Sequence, residues 1–562
     1  MMNITKNKLS ASYEHSTHPS IIAISQILFW LSCIFLLSLG TTLLYGTIYL
    51  FPQHRLAMLG LEQFPMVIHT IPNMPWTDVA ENILGGFLIA HDQVQYTDFI
   101  QNHTPGVTAL LGLIFTIFNA FSAVGGAETL KTTYILAIFS SSLFQLGLLL
   151  IGLRFFTKLS TASILIALTM YCLYCLVQHQ FAAPMSETLI VPIVIIATLH
   201  FLSLWSGQLR IDLWQVLLAL EISGLAILIG LTAAPFFMLY SASLFFLFLL
   251  NRCGYSVLLY PGAASPNSLV DEKFFAIFFL GIAALVCGYG LIKIDFSLMY
   301  FWNVPFNVSS FGLQPIQSLL RVFFNLDLAS SFTSNFAVLS QPTLLTLFIL
   351  GVLCGKLFVD LPRSMLIKWL ILLILLLMYG SFFWRVFTGY KAYPSLGLVL
   401  GMMIWSISKQ GHTKERQSPK VGFSTGLFFM TSVILATYFS WVVHWSLPGK
   451  ESLLQTKFNL CHLMPVNNSH CSCLSSTIYG PQLFLQNDFL PCKGVHPTLS
   501  PEFLQYSPLI KAFSERYKTE PIAILYYENI PAPYIPKFLI ELIKQSNCQP
   551  FDAISEVCQY QK

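Results

Sequence analysis

The sequence predicts an all-α polytopic membrane domain of about eleven transmembrane helices, with interfacial helices in its first external loop and a small C-terminal α+β domain outside the cytoplasm. Three observations lead there. Of 562 residues, 55% are hydrophobic and only 10% charged, and the mean hydropathy is +0.68, which is more apolar surface than one water-soluble core can bury. The 29 basic and 25 acidic residues give a net charge of +4, and the basic ones gather in short clusters between apolar runs, a pattern that orients helices in a bilayer rather than binding nucleic acid. The last hundred or so residues then turn polar and rich in proline and cysteine.

Spans are placed by finding apolar runs of roughly 20 residues and asking which joining loops carry Lys and Arg. Lys6 and Lys8 hold the N-terminus (1–20) in the cytoplasm, so the first span, about 21 to 50, is a retained signal anchor and 51–132 is external. Within that loop the run Gly106 to Phe121 is short for a span. Reading it as a helix lying in the interface puts the loop from Arg154 to Lys158 inside, and with it Arg210, Arg252, the group Lys356, Arg363 and Lys368, and the group Lys409, Lys414, Arg416 and Lys420. The remaining spans fall at about 133–153, 160–178, 188–205, 213–231, 233–251, 273–293, 342–359, 366–384, 392–408 and 422–445. The long loops 51–132 and 294–341 and the tail from 446 onward then share the external side. The Pro/Gly/Ser stretch 254–268 is a cytoplasmic linker, and no internal repeat is visible.

In the tail, 446–562, the alternation in Ile522-Ala-Ile-Leu-Tyr-Tyr527 predicts a strand and the run Ile535 to Gln545 a helix. Six of the twelve cysteines crowd this region: Cys461, Cys471, Cys473, Cys492, Cys548 and Cys558. An even set in a small exported domain reads as disulfides in an oxidising compartment. His462 and His470 beside Cys471 and Cys473 are the material for a zinc site, the alternative that exported location disfavours.

The informative polar residues lie on the external side, because charge within the apolar runs is scarce. The first loop carries Trp76-Thr-Asp78-Val-Ala-Glu81-Asn-Ile-Leu-Gly-Gly, then Gln95-Tyr96-Thr-Asp98-Phe-Ile-Gln-Asn102-His103-Thr-Pro105-Gly. Asp78 and Glu81, three apart, share a helix face. Met185-Ser-Glu187 opens a later span, and Trp384-Arg385-Val-Phe-Thr-Gly-Tyr390-Lys391-Ala-Tyr393-Pro394 leads into a late one. The plain alternative for each polar residue is loop solvation, and for each cation a side chain reaching lipid headgroups.

Taken together these segments resemble the GT-C superfamily of membrane glycosyltransferases, and within it the branch holding protein O-mannosyltransferases and lipid A aminoarabinose transferases. The resemblance covers residues 20–445 in layout and the three quoted segments in motif. It implies transfer of one sugar, with inversion, from a polyprenyl-phosphate donor to a lipid, glycan or protein acceptor on the extracytoplasmic side. The chain lacks the long luminal insert typical of eukaryotic protein mannosyltransferases, so the expected setting is a bacterial inner membrane with site and C-terminus in the periplasm, with an endoplasmic-reticulum membrane as the alternative. It also implies that the long loop 294–341, with Tyr300, Trp302, Asn303, Arg321 and Asp327, acts as a lid. The family's first acidic position falls near Pro72 or Asn73, so Asp78 is the nearest carboxylate.

The chemistry can be argued from residue types alone. Transfer from a lipid phosphate needs a carboxylate to take the proton of the attacking hydroxyl and positive charge to receive the departing phosphate. Asp78 is the candidate base, and Asp98 and Glu187 are candidates to orient the acceptor. A divalent metal ion held through hard carboxylate oxygens, Asp78 and Glu187 first, is the one cofactor this set suggests. Arg385 and Lys391 are candidates for the lipid phosphate, and Glu81, Tyr96, His103 and Tyr390 for further substrate contacts. The expected partners are the polyprenyl-phosphate sugar and membrane lipid, with no nucleic acid. A transporter or flippase, for which Glu221 within a span would be the key acid, and a noncatalytic assembly or sensor protein are the competing classes.

Overall fold

A computed structural model of the chain describes residues 19–45, 77–101, 103–119, 127–157, 159–177, 184–209, 211–253, 280–305, 349–359, 361, 364–383, 393–413, 473–476, 492, 507–519, 522–527, 537–550 and 555–560. The N-terminus, residues 51–76 of the first loop, the linker 254–268, the span at 422–445 and most of the 294–341 loop lie outside them.

Among the described residues the first part of the chain is helical: α1 (Pro19–Tyr45), α2 (Thr77–Ala90), α3 (Gly106–Asn119), α4 (Ala127–Phe156), α5 (Thr161–Val177), α6 (Ser186–Trp205), α7 (Leu213–Ile229), α8 (Ala234–Arg252), α9 (Phe296–Asn303), α10 (Met365–Gly380) and α11 (Tyr393–Thr413). Residues 280–288 and 349–359 are also helical, the first running into a 3-10 turn at Tyr289–Lys293. Among the described residues three stretches are long and apolar enough to cross a membrane, Ile135–Phe156, Ser186–Trp205 and Leu231–Arg252. The outer surface agrees with a bilayer setting: Leu366 is 80% exposed and Ile292 78%, positions that hydrocarbon accepts and water penalises.

At the centre stands α6, every residue of which is buried. Such a helix is apolar all round because every side meets another helix. On one side α11 crosses it at close range. An ideal Cβ on Gly397 would lie 2.6 Å from the Val191 carbonyl oxygen, and one on Gly401 would lie 2.7 Å from Thr198 Cβ, so two glycines four apart set the approach of these backbones. On another side α7 and α8 are tied to α6 through His200, fully buried, whose Nδ1 lies 2.6 Å from Tyr240 Oη and whose Nε2 lies 2.6 Å from Gln215 Oε1. An amide oxygen only accepts, so Nε2 carries the proton and Nδ1 accepts from the tyrosine. Helix α7 begins at Asp212, whose side chain accepts from the Gln215 amide.

The expected interfacial run is α3, but it is more than a surface helix. Val107, Thr108, Ala109, Leu110 and Leu111 are buried, while Ile117 and Phe118 at its far end are exposed. It lies along α2, where an ideal Cβ on Gly86 would meet Leu111 Cβ at 2.5 Å. The Gly-Gly of the first-loop motif is therefore the crossing point of two helices.

In the tail, β1 (Cys473–Ser476), β2 (Ile522–Tyr527), β3 (Ser546–Pro550) and β4 (Ser555–Tyr560) form a sheet in the order β1-β2-β4-β3, parallel between β1 and β2 and otherwise antiparallel. Two helices, α12 (Ser507–Thr519) and α13 (Lys537–Lys544), pack on it through Phe513, Tyr517, Leu539 and Leu542 against Ile522 and Ile524. The expected strand at Ile522–Tyr527 is β2, and the expected helix at 535–545 forms over Lys537–Lys544. Cys548 and Cys558 face each other across β3 and β4 and are disulfide-bonded, and Cys492 is disulfide-bonded as well. Cys461 and Cys471 lie outside the described residues, as do His462 and His470, and of Cys473 only the backbone is described.

Candidate active site

The polar segments of the first loop and the start of α6 meet at one end of the bundle. Asn82 Nδ2, on α2, donates to the carbonyl oxygen of Pro184 at 3.0 Å, three residues ahead of Glu187 in the first turn of α6. This bond joins a helix that carries Asp78 and Glu81 to the helix that carries Glu187. Glu81 is 2% exposed and Glu187 1%. A carboxylate in the first turn of a helix is favoured by the unpaired amides and the dipole there, and Ser186 Oγ donates to Glu187 Oε2 at 2.9 Å. Gly230 makes room for this serine: an ideal Cβ there would lie 3.0 Å from Ser186 Cβ.

The loop after α2 is held by its own side chains. Asp98 Oδ2 accepts from the Val94 amide at 2.9 Å, closing a turn over residues 94–98. Gln101 Nε2 donates to the Glu81 carbonyl at 2.7 Å, tying the loop back to α2. Thr108 Oγ1, on α3, donates to Gln95 Oε1 at 2.6 Å. Because both amide nitrogens must face the carbonyls they serve, the oxygens Asn82 Oδ1 and Gln101 Oε1 are fixed as acceptors, and both are buried without a hydrogen-bond partner.

Tyr96 is the most constrained residue of the loop. Its φ is 70°, a region bulky side chains rarely occupy, yet its amide donates to the Phe99 carbonyl at 2.7 Å and its ring is buried. The hydroxyl donates to the His103 carbonyl and accepts from Asn303 Nδ2 at 2.8 Å. Burial pushes the phenol far above its usual pKa and the nearby Glu81 charge adds to this, while the Asn303 hydrogen bond works the other way. His103 thus contributes its backbone to this arrangement, and its side chain is partly exposed.

The structure therefore brings Glu81, Tyr96, Asp98, His103 and Glu187 into one region. Asp78 lies in the first turn of α2, where only its backbone is described, and Arg385, Tyr390 and Lys391 lie outside the described residues. Among the described residues no group of three His, Cys, Asp or Glu side chains could hold a metal ion. Glu221 sits apart on α7, half-buried, where an ideal Cβ on Gly281 would come 3.1 Å from its Oε1. Asn82, Gln101, Ser186 and Asn303 were not singled out by the sequence as connecting residues. Ser186 serves its neighbour Glu187, while the other three are neutral side chains whose partners lie elsewhere in the chain, 20 positions away for Gln101, 102 for Asn82 and 207 for Asn303.

No family model matches the chain, and no curated protein matches it. Solved structures do align with it over most of its length. ArnT from Cupriavidus metallidurans, crystallised with undecaprenyl phosphate, aligns with 90% of this chain and 98% of its own at 11% identity and a TM-score of 0.41. The archaeal oligosaccharyltransferase AglB from Archaeoglobus fulgidus, in complex with an inhibitory peptide and a dolichol-phosphate, aligns with 88% of this chain and 69% of its own at 12% identity and a TM-score of 0.40. An Archaeoglobus fulgidus oligosaccharyltransferase in complex with zinc and sulfate aligns with 87% and 67% at 10% identity and a TM-score of 0.36.

Proposed function

We propose that the chain is a membrane glycosyltransferase that moves one sugar from a polyprenyl-phosphate donor to an acceptor hydroxyl on the extracytoplasmic side. The observation that carries this reading is the hydrogen bond from Asn82 to Pro184, which draws the acidic first-loop helix against the start of the Glu187 helix. Buried carboxylates at such a junction are costly to keep unless chemistry or structure uses them. In the reaction, Asp78 takes the proton of the acceptor hydroxyl as that oxygen bonds to the anomeric carbon, and the bond from that carbon to the phosphate oxygen breaks with its electron pair leaving on the lipid phosphate. A single displacement of this kind inverts the anomeric centre. Arg385 and Lys391 receive the phosphate charge, Glu81 and Glu187 orient the acceptor, and Asp98 keeps rigid the loop that presents Tyr96 and His103.

Among the described residues no cluster could hold a metal ion, so a divalent cation is proposed from the hard carboxylate oxygens of Asp78, whose side chain lies outside them, and Glu187. Such an ion, held by Asp78 and Glu187, would supply charge against the developing phosphate anion. The extracytoplasmic orientation belongs to the same proposal and rests on the distribution of Lys and Arg, while the bacterial inner membrane rests on the resemblance alone.

The test is transfer of radiolabelled sugar from membrane-extracted polyprenyl-phosphate sugars by the purified full chain and its Asp78→Asn, Asp98→Asn and Glu187→Gln variants. Transfer by the wild type that is lost in folded Asp78→Asn supports both the reaction and the base. Transfer that is equal in all four removes the carboxylates from the chemistry. Absence of transfer by the wild type with every available donor moves the transporter reading ahead.

A further inference from the structure

The geometry points to Tyr96 as a positioning residue whose hydroxyl fixes α9, the first helix of the 294–341 segment, onto the acidic first loop. The contact has a polar and an apolar part. Asn303, the last residue of α9, donates through Nδ2 to Tyr96 Oη at 2.8 Å and through the same nitrogen to the Met299 carbonyl at 2.9 Å, so its orientation is fixed from both sides. Around this bond Tyr96, Ile100, Ile294 and Trp302 form a small buried cluster of their own, separate from the main core of the bundle. Trp302 is 2% exposed, although Tyr300 on the same short helix is 61% exposed. Among the described residues the face of α9 that carries Trp302 and Asn303 is held to the first loop.

The backbone of Tyr96 indicates that the arrangement is selected rather than incidental. A left-handed conformation at a bulky residue costs of order 1–3 kcal/mol and persists only where the surroundings over-determine it. Here they do: the amide is bound to Phe99, the hydroxyl to the His103 carbonyl and to Asn303, and the ring to Trp302 and Ile294. A strained residue that joins two segments 207 positions apart, and that lies close enough to Glu81 to feel its charge, sets how α9 is held to the acidic first loop. Gln95 reinforces the same carbonyl, since its Nε2 donates to His103 O at 3.3 Å while its Oε1 is bound by Thr108 of α3. The loop is thus bonded to both α3 and α9.

The experiment compares the purified full chain with Tyr96→Phe, which keeps the ring and removes the hydroxyl, with Asn303→Ala, and with the double variant. Hydrogen exchange of the peptide covering residues 294–303 should quicken about tenfold in each single variant, the scale expected for losing one buried hydrogen bond. The double variant should be less than additive, because the shared bond is lost only once while each single variant also removes one bond of its own, to the His103 or the Met299 carbonyl. Unchanged exchange, additive effects, or an equal quickening in α2 and α6 would each overturn the inference, the last because Tyr96 would then be holding the whole fold. A kinetic reading rests on the transferase proposal: KM for the polyprenyl-phosphate sugar should rise about tenfold while kcat stays within about twofold. If the wild type transfers no sugar, that proposal fails while the exchange result still decides the role of Tyr96.

Discussion

Replacing Asn82 separates the two things its side chain does. In Asn82→Ala the Pro184 carbonyl, which is buried, loses its 3.0 Å donor, and an unpaired buried acceptor costs about 1–3 kcal/mol. The same substitution removes Asn82 Oδ1, itself buried without a partner, which offsets about 1 kcal/mol. The expected net loss of stability is about 1 kcal/mol, a shift of only a few degrees in thermal unfolding of detergent-solubilised protein. The effect on rate should be much larger. Once α2 is no longer tied to Pro184, just ahead of α6, Asp78 and Glu81 can move relative to Glu187, and a misplacement of about 1 Å at reacting groups costs about 100-fold. Asn82→Asp goes further, because an ionised oxygen then faces the carbonyl oxygen. Acidification should partly restore this variant, since the protonated carboxyl can donate to Pro184. The assay is kcat for sugar transfer beside the melting temperature of the same preparation. If Asn82→Ala melts a few degrees lower but keeps kcat within about twofold of wild type, the bond serves packing alone and the argument from it to a shared site is refuted.

Three further outcomes are expected. Gly397→Ala places a methyl group 2.6 Å from the Val191 carbonyl oxygen, so α11 and α6 must separate at a cost of about 1–3 kcal/mol; an unchanged melting temperature would rule out so close a crossing. Asp295 caps α9 and is held below its ordinary pKa by the Ser297 hydroxyl and then by the Leu298 and Ser297 amides. Its folded-state value is depressed, so the cap is at full strength above the unfolded value of about 3.9 and is lost as pH falls through the lower folded value; exchange in 294–303 should quicken over that acidic window, and Asp295→Ala should abolish the pH dependence. Dialysis against a chelator should lower sugar transfer, and magnesium or manganese should restore it; full activity after chelation would mean that the carboxylates work without an ion.

The helices were largely legible because each depends on its own residues. A run of roughly 20 apolar side chains satisfies its backbone internally and places its surface in lipid whatever lies beside it, and α6, α7, α8 and α10 lie on the runs read from the sequence. The strand at Ile522–Tyr527 was legible for the same local reason, its alternation. Glu187 was marked as an acid at the start of a helix, and that is where it stands. The acidic residues of the first loop were visible as a group, because charge is scarce in so apolar a chain.

What the sequence could not assign was which polar residue serves which partner. Asp98 has the appearance of a catalytic acid in sequence, yet one of its oxygens closes a turn on Val94. Asn82 reads as an ordinary helix residue, yet it joins α2 to the start of α6. The Gly-Gly at 85–86 reads as a motif, and the structure uses Gly86 as the contact point of two helices. Length, hydropathy and charge determined by themselves that this chain lives in a bilayer as a bundle of helices, because the free energy of burying apolar surface adds up residue by residue. Only the tertiary structure decided that Asn82 meets Pro184 and that Tyr96 meets Asn303, because a hydrogen bond requires two atoms within about 3 Å, and that distance is set by how the helices pack rather than by either residue alone.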